Sequence, residues 1–154
     1  MKKHLVRRAG GSDLDRLAGL RAALWPEGPL EEHRRELEEW LATGLCGTMP
    51  EANFVAQIEG ELVGFIQVGL RSHAEGCDVS RPVGYIEGWF VREDHRGRGI
   101  GRELIQAAEE WARNQRCREM ASDALIDNQP SQKAHAACGF EEVERSVHFR
   151  KALD

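Results

Sequence analysis

From residue 96 to residue 102 the chain reads Arg96-Gly97-Arg98-Gly99-Ile100-Gly101-Arg102, glycines interleaved with arginines. Glycine lets a backbone approach a ligand closely, and the opening N–H groups of a helix point at whatever stands before it. The helix dipole favours an anion there, and the guanidinium groups of Arg96, Arg98 and Arg102 attract one from a distance. A pyrophosphate fits this chemistry; the plainer alternative is a surface turn with solvated arginines. No Lys-Ser or Lys-Thr follows, as a P-loop requires. The spacing is G-x-G-x-G, not the dinucleotide fingerprint G-x-G-x-x-G.

Two carboxylates form a second group. In the run Tyr85-Ile86-Glu87-Gly88-Trp89-Phe90-Val91, strand alternation puts Tyr85, Glu87, Trp89 and Val91 on one face. A carboxylate among apolar residues is costly if buried alone. Glu87 therefore either faces a wet cleft that takes a cation or pairs with an arginine at a strand edge. Asp123 ends a later β-prone run, where ligand crevices open in α/β sheets. Its alternative is a cap or turn.

These residues need a scaffold. His4–Arg7 reads as a first strand. Ser12 and Asp13 are N-cap types ahead of helically spaced Leu14, Leu17, Ala18, Ala22 and Leu24, which predicts a helix over 12–25. Pro26-Glu27-Gly28-Pro29 stops it. A second helix runs over 30–43, with Leu37, Trp40 and Leu41 on one face and Gly44 as its stop. Asn53–Ile58 and Leu62–Leu70 flank Glu59-Gly60 as a hairpin. Ser72–Arg81 is a loop and Tyr85–Val91 a strand. Gly99–Asn114 is an amphipathic helix with Leu104, Ile105, Ala108 and Trp111 on its stripe. A strand over 119–124, a helix over 131–138 and a final strand over 142–153 complete the order. This is one α/β domain over 1–154.

The 154 residues hold 41% hydrophobic and 31% charged side chains, enough to build a core and stay in solution. The net charge of −5 argues against a protein that tracks nucleic-acid phosphates and suits a cationic small molecule. No run approaches the roughly 18 apolar residues of a membrane span. The start Met1–Arg8 is basic with no apolar stretch behind it, so no secretory leader is expected. Cys46, Cys77, Cys117 and Cys138 are too scattered for a metal site, and no metal is expected. Reduced thiols in a cytoplasm, acting as small buried hydrophobes, are the simple reading. The acidic runs Glu31-Glu32, Glu36, Glu38-Glu39 and Glu141-Glu142 either line a substrate approach or are solvated faces.

Arg96, Gly99 and Gly101 match [QR]-x-x-G-x-[GA], the acyl-CoA pyrophosphate loop of the GCN5-related N-acetyltransferases. The flanking strings are more specific and resemble the aminoglycoside 6′-N-acetyltransferases of that superfamily. They include Gly19-Leu20-Arg21-Ala22-Ala23-Leu24-Trp25-Pro26, Gly76-Cys77-Asp78 and Tyr85–Val91. Further along come Cys117-Arg118-Glu119-Met120-Ala121-Ser122-Asp123, Ser131-Gln132-Lys133-Ala134-His135 and Gly139-Phe140-Glu141-Glu142-Val143-Glu144-Arg145. The likeness covers nearly the whole chain and is densest over 85–149.

The resemblance implies the superfamily's fold, a mixed central sheet with helices on both faces. It implies acetyl-CoA as cosubstrate, an aminoglycoside acceptor, a homodimer and a cytoplasmic location. Trp89, Phe90 and Val91 would pair by backbone with the pantetheine arm. Arg96, Gly97, Arg98, Gly99, Ile100, Gly101 and Arg102 would hold the pyrophosphate, and Asn128 would bond near the reactive end. Trp25, Glu87, Asp123 and Glu144 would line the acceptor site, although Trp25 could equally be core and Glu144 part of a charged face. Aligned back from Cys77, His73 takes the place of an aromatic substrate contact. Asp123 is the family's usual base, with Glu87 as the other candidate. Where many superfamily members carry a tyrosine acid, four residues before Gly139-Phe140, this chain has His135. It is either the acid or a packed helix histidine.

Direct transfer needs a neutral amine, a carboxylate to take its proton and N–H donors for the oxyanion, and no cysteine nucleophile. Two competing readings keep the CoA loop. One is a related acetyltransferase for a polyamine, another small amine or a protein amine. The other is a non-catalytic acyl-CoA sensor.

Overall fold

The computed structural model describes residues 3–154; Met1 and Lys2, the first two residues of the basic start, lie outside the described residues. The chain divides into two compact units, one ending at Asp123 and the other running Ala124–Asp154.

The first unit is a twisted sheet. Strands β1 (Leu5–Arg8), β2 (Leu45–Cys46), β3 (Met49–Ile58), β4 (Glu61–Arg71), β5 (Val83–Val91) and β6 (Met120–Ser122) form it in the order β1-β3-β4-β5-β6, with β2 paired to β3. All neighbours are antiparallel except β5 and β6, which are parallel, so the sheet is mixed. The hairpin turns at Glu59-Gly60, both with positive φ. Helices α1 (Leu14–Leu24) and α2 (Leu30–Thr43) cover one face, where Leu17, Leu37, Val55 and Phe65 are buried together. Helix α3 (Ile100–Asn114) covers the other: a Cβ on Gly64, the neighbour of Phe65, would lie 3.4 Å from Leu104.

Helix α2 has the bounds its sequence predicts, and Gly44 closes it in the left-handed region at φ +70°. The first helix is shorter than expected, because Gly11–Asp13 forms a 3-10 turn ahead of it. Asp13, fully buried, accounts for that. It accepts from both terminal nitrogens of Arg7, at 2.7 and 2.8 Å, and from the Gly10 N–H at 2.8 Å. These bonds tie the start of α1 to β1. Strand β2, two residues long, was invisible in the sequence. Of the cysteines only Cys117 is buried, against the expectation for all four; Cys46 is exposed, and all are free thiols.

The second unit holds helix α4 (Gln129–Ala137). The strand expected over 142–153 is absent, since residues 141–154 carry neither helix nor strand. Val143, Val147, Phe149 and Leu153 are exposed. A β-strand has little stability without a paired edge, and charge-rich alternation alone does not supply one.

Candidate active site

Strand β5 changes face halfway. A Cβ on Gly84 would run into Ala112 of α3 at 2.8 Å, whereas one on Gly88 would meet Trp25 at 2.5 Å, on the α1 side. Regular alternation would put Gly84 and Gly88 on the same side. The pairing with β4 slips between them: Gln67 lies opposite Gly88 and Val68 opposite Ile86, so Glu87 is the extra residue of a β-bulge. The single face expected for Tyr85, Glu87, Trp89 and Val91 is therefore not observed. Trp89 donates its indole N–H to the Gly101 carbonyl at the start of α3, at 3.1 Å. Tyr85 and Glu87 instead share one guanidinium.

That guanidinium belongs to Arg71, the last residue of β4. Its Nε donates to Glu87 Oε1 at 2.9 Å and its Nη2 to Glu87 Oε2 at 2.8 Å. The same group lies 3.5 Å from the centre of the Tyr85 ring. Asp123 stands near enough to the Tyr85 hydroxyl for its charge to act on it. Burial and the negative charge of Asp123 push the Tyr85 hydroxyl above its ordinary range. The bond to Glu87 raises Arg71 further, so it stays a cation. Arg71 thus lies on Tyr85 and pairs with Glu87, and the charge of Asp123 acts on both Arg71 and Tyr85. Neither Arg71 nor Tyr85 was singled out by sequence, although Tyr85 stood two residues from Glu87. Of the two readings of Glu87, the arginine-paired one is realised. The carboxylate is nevertheless 31% exposed, open to a competing cation.

Trp25 ends α1 and packs over Gly88. Its ring stacks with His33 at 6.2 Å and meets Phe65 edge-on at 6.1 Å, and it is partly buried at the rim of the core. Its backbone carbonyl is 3.2 Å from His33 Nε2. His73 sits two residues after Arg71 on the exposed loop that follows β4, its ring 3.3 Å from the Ser72 hydroxyl.

The glycine-rich turn lies between the end of β5 and the start of α3. Gly97 and Gly99 have φ of +73° and +83°, conformations that exclude most side chains, and Gly99 caps α3 with no side chain over the opening amides. Arg96 Nε donates to the Val91 carbonyl at 2.8 Å and Arg98 Nη2 to the Asp94 carbonyl at 3.2 Å. These bonds hold the turn against the end of β5, and Arg96, Arg98 and Arg102 remain exposed. Ile100 is buried, so only its backbone can face a ligand. Strand β5 pairs with β6 only over Gly84–Ile86 and runs on through Trp89, Phe90 and Val91. Phe90 turns its ring into the core, 6.4 Å from Phe65.

The other candidates lie in the second unit. Asn128 caps α4, accepting from the Ser131 N–H at 3.2 Å. His135 Nδ1 donates to the Ser131 carbonyl at 2.7 Å, and its ring meets Phe140 edge-on at 5.3 Å. That is the environment of the packed histidine. Glu144 is exposed on the irregular segment 141–154.

Comparison with known proteins matches residues 14–140 to the Acetyltransferase (GNAT) family. The aminoglycoside N(6′)-acetyltransferase type 1 of Stenotrophomonas maltophilia is 41% identical over 152 residues, covering 97% of this chain and 94% of that protein. A protein of the same name from Salmonella typhimurium is 41% identical over 147 residues, covering 95% and 97%. Among solved structures, AAC(6′)-Iy in complex with the bisubstrate analogue CoA-S-monomethyl-acetylneamine superposes with a TM-score of 0.88 at 39% identity, over 98% of this chain and 99% of that one.

Proposed function

The chain belongs to the acetyltransferase (GNAT) family, and from that premise we propose that it moves the acetyl group of acetyl-CoA onto the 6′-amine of an aminoglycoside. The observation that carries the acceptor half is the cation already seated between its carboxylates: Glu87 grips the Arg71 guanidinium beside Asp123. A site that accommodates this cation has the charge and the donor preference for an ammonium group. The names of the relatives point to the same acceptor class.

In this reading the opening turn of α3 and the glycines before it hold the pyrophosphate of acetyl-CoA, helped by Arg96, Arg98 and Arg102. The backbone of Trp89–Val91 flanks the pantetheine arm. Glu87 draws in the protonated acceptor, with Trp25 and His73 beside it. Asp123 takes the proton, directly or through a water, because only the neutral amine is a nucleophile. The nitrogen then forms the amide bond, the thioester C–S bond breaks, and the thiolate leaves with a proton. From the second unit the resemblance assigns Asn128 to the cosubstrate and Glu144 to the acceptor. The transfer is direct, in a ternary complex, by a homodimer in the cytoplasm.

The product loses one cation and the donors it used against RNA phosphates, which inactivates the antibiotic. Incubation with acetyl-CoA and an aminoglycoside, followed by mass spectrometry and NMR of the product, tests this. One added acetyl group on the 6′-nitrogen is the expected result. Acetylation at another nitrogen, or none, overturns it.

A further inference from the structure

A second group of buried polar side chains lies on the sheet, and acetyl transfer makes no use of it. Glu51 on β3 is 4% exposed, and Asn53 and Gln67 are 0% and 7% exposed. Asn53 Nδ2 donates to Glu51 Oε1 at 3.2 Å. Gln67 and Cys46 stand beside this carboxylate. The carbonyl oxygens of both amides, Asn53 Oδ1 and Gln67 Oε1, have no hydrogen-bond partner. All the hydrogen-bond donors to Glu51 are neutral. The one guanidinium on the same wall, Arg21, is ion-paired with Glu36.

Glu51, Gln67, Cys46 and Arg21 line a cavity of about 160 Å³, together with Glu36, Glu39 and Trp40. Glu36, Glu39 and Glu51 set three carboxyl groups against the single positive charge of Arg21, and burial pushes that of Glu51 above its ordinary range. A buried carboxylate without a cationic partner is costly, and so is a buried carbonyl without a donor. An ammonium group relieves both, with three N–H donors and one positive charge. The volume takes such a group and the carbon bearing it, whereas water alone, at ~30 Å³ each, would leave the charge unmatched. Among the described residues no group of three His, Cys, Asp or Glu side chains could hold a metal ion, which favours an organic cation. Gln67 lies opposite Gly88, next to Glu87, so the cavity adjoins the strand that presents the acceptor carboxylate. Of the acidic runs in the sequence, Glu36 and Glu39 are thereby given a place.

We propose that this cavity, built on Glu51 and Gln67, is a second ammonium-binding site that takes an amine of the acceptor other than the one acetylated. It makes the protein selective for acceptors with two separated amines. This rests on the reading of Glu87 as the first amine site.

The test is Glu51→Gln, with Gln67→Leu as a second variant that removes the unpartnered carbonyl and keeps the charge. The probes are an aminoglycoside with several amines and a single-ring amino sugar with one. For the first, each variant raises KM by about ten- to a hundredfold with kcat kept within about twofold; for the second, KM is unchanged. Equal KM in wild type and both variants on the multi-amine acceptor overturns the proposal, as does an equal rise on both acceptors. Calorimetric titration of the same two compounds reads binding without turnover. If the wild type failed to acetylate either compound, the functional reading would fail. Weaker multi-amine binding in the variants would still support the cavity, and unchanged binding would still sink it.

Discussion

Arg71 holds Glu87 by two parallel hydrogen bonds, at 2.9 and 2.8 Å, with its guanidinium laid on the Tyr85 ring. The pair is 16 residues apart in sequence and meets because β4 and β5 are neighbours, with Arg71 opposite Val83. A partly exposed ion pair of this kind is worth little as stability. In the proposed reaction its consequence is functional: the acceptor amine would meet a carboxylate already shaped around a cation.

Glu87→Gln keeps the shape and removes the charge. It is expected to raise the acceptor KM by about tenfold or more while leaving the affinity for CoA unchanged. Steady-state kinetics and calorimetry with CoA check the two halves separately.

Asp123→Asn keeps the shape of the side chain and removes the base. The expected loss is about 10²–10⁴-fold in kcat, with a smaller change in KM. A kcat within a few-fold of wild type would move the role of base to Glu87.

Gly99→Ala tests the anion cradle. The position has open space around it but a φ of +83°, so the cost is conformational, about 1–2 kcal/mol. CoA binding should weaken by about tenfold, and the acceptor KM should hold once CoA saturates.

Asp13 tests the scaffold. The hydrogen bonds from Arg7 hold its carboxyl below the ordinary 3.8, against the opposing effect of burial. The ionised form is therefore stabilised by folding. That contribution is complete above about pH 4 and is lost as pH falls below 3.8 through the folded value. Asp13→Asn should cost about 3 kcal/mol at neutral pH and flatten the acid limb of a stability-against-pH curve.

The sequence carried most of the order of elements along the chain because its punctuation is local. Gly44, Glu59-Gly60, Gly99 and the 26–29 turn each act on their own neighbours. It carried the glycine-rich turn ahead of α3 for the same reason. The bulge at Glu87 was not legible, since it depends on how β4 and β5 register, and it overturned the face assigned to Trp89 and Val91. Arg71 was hidden likewise: an arginine partner for Glu87 was one of two readings, but nothing local named which. The cluster of Glu51, Asn53 and Gln67 lay inside or beside runs read as strands, where polar residues look solvent-facing until α2 is packed over them. Residues 142–153 failed in the opposite direction, because alternation was present and a paired edge was not.

The most direct measurement is thiol release from acetyl-CoA with two aminoglycosides that differ only at the 6′ position, one an amine and the other a hydroxyl. The account predicts turnover with the amine, none above background with the hydroxyl, and loss of the amine-dependent rate in Asp123→Asn. Equal rates with the two compounds, or CoA binding with no turnover of either, would contradict it.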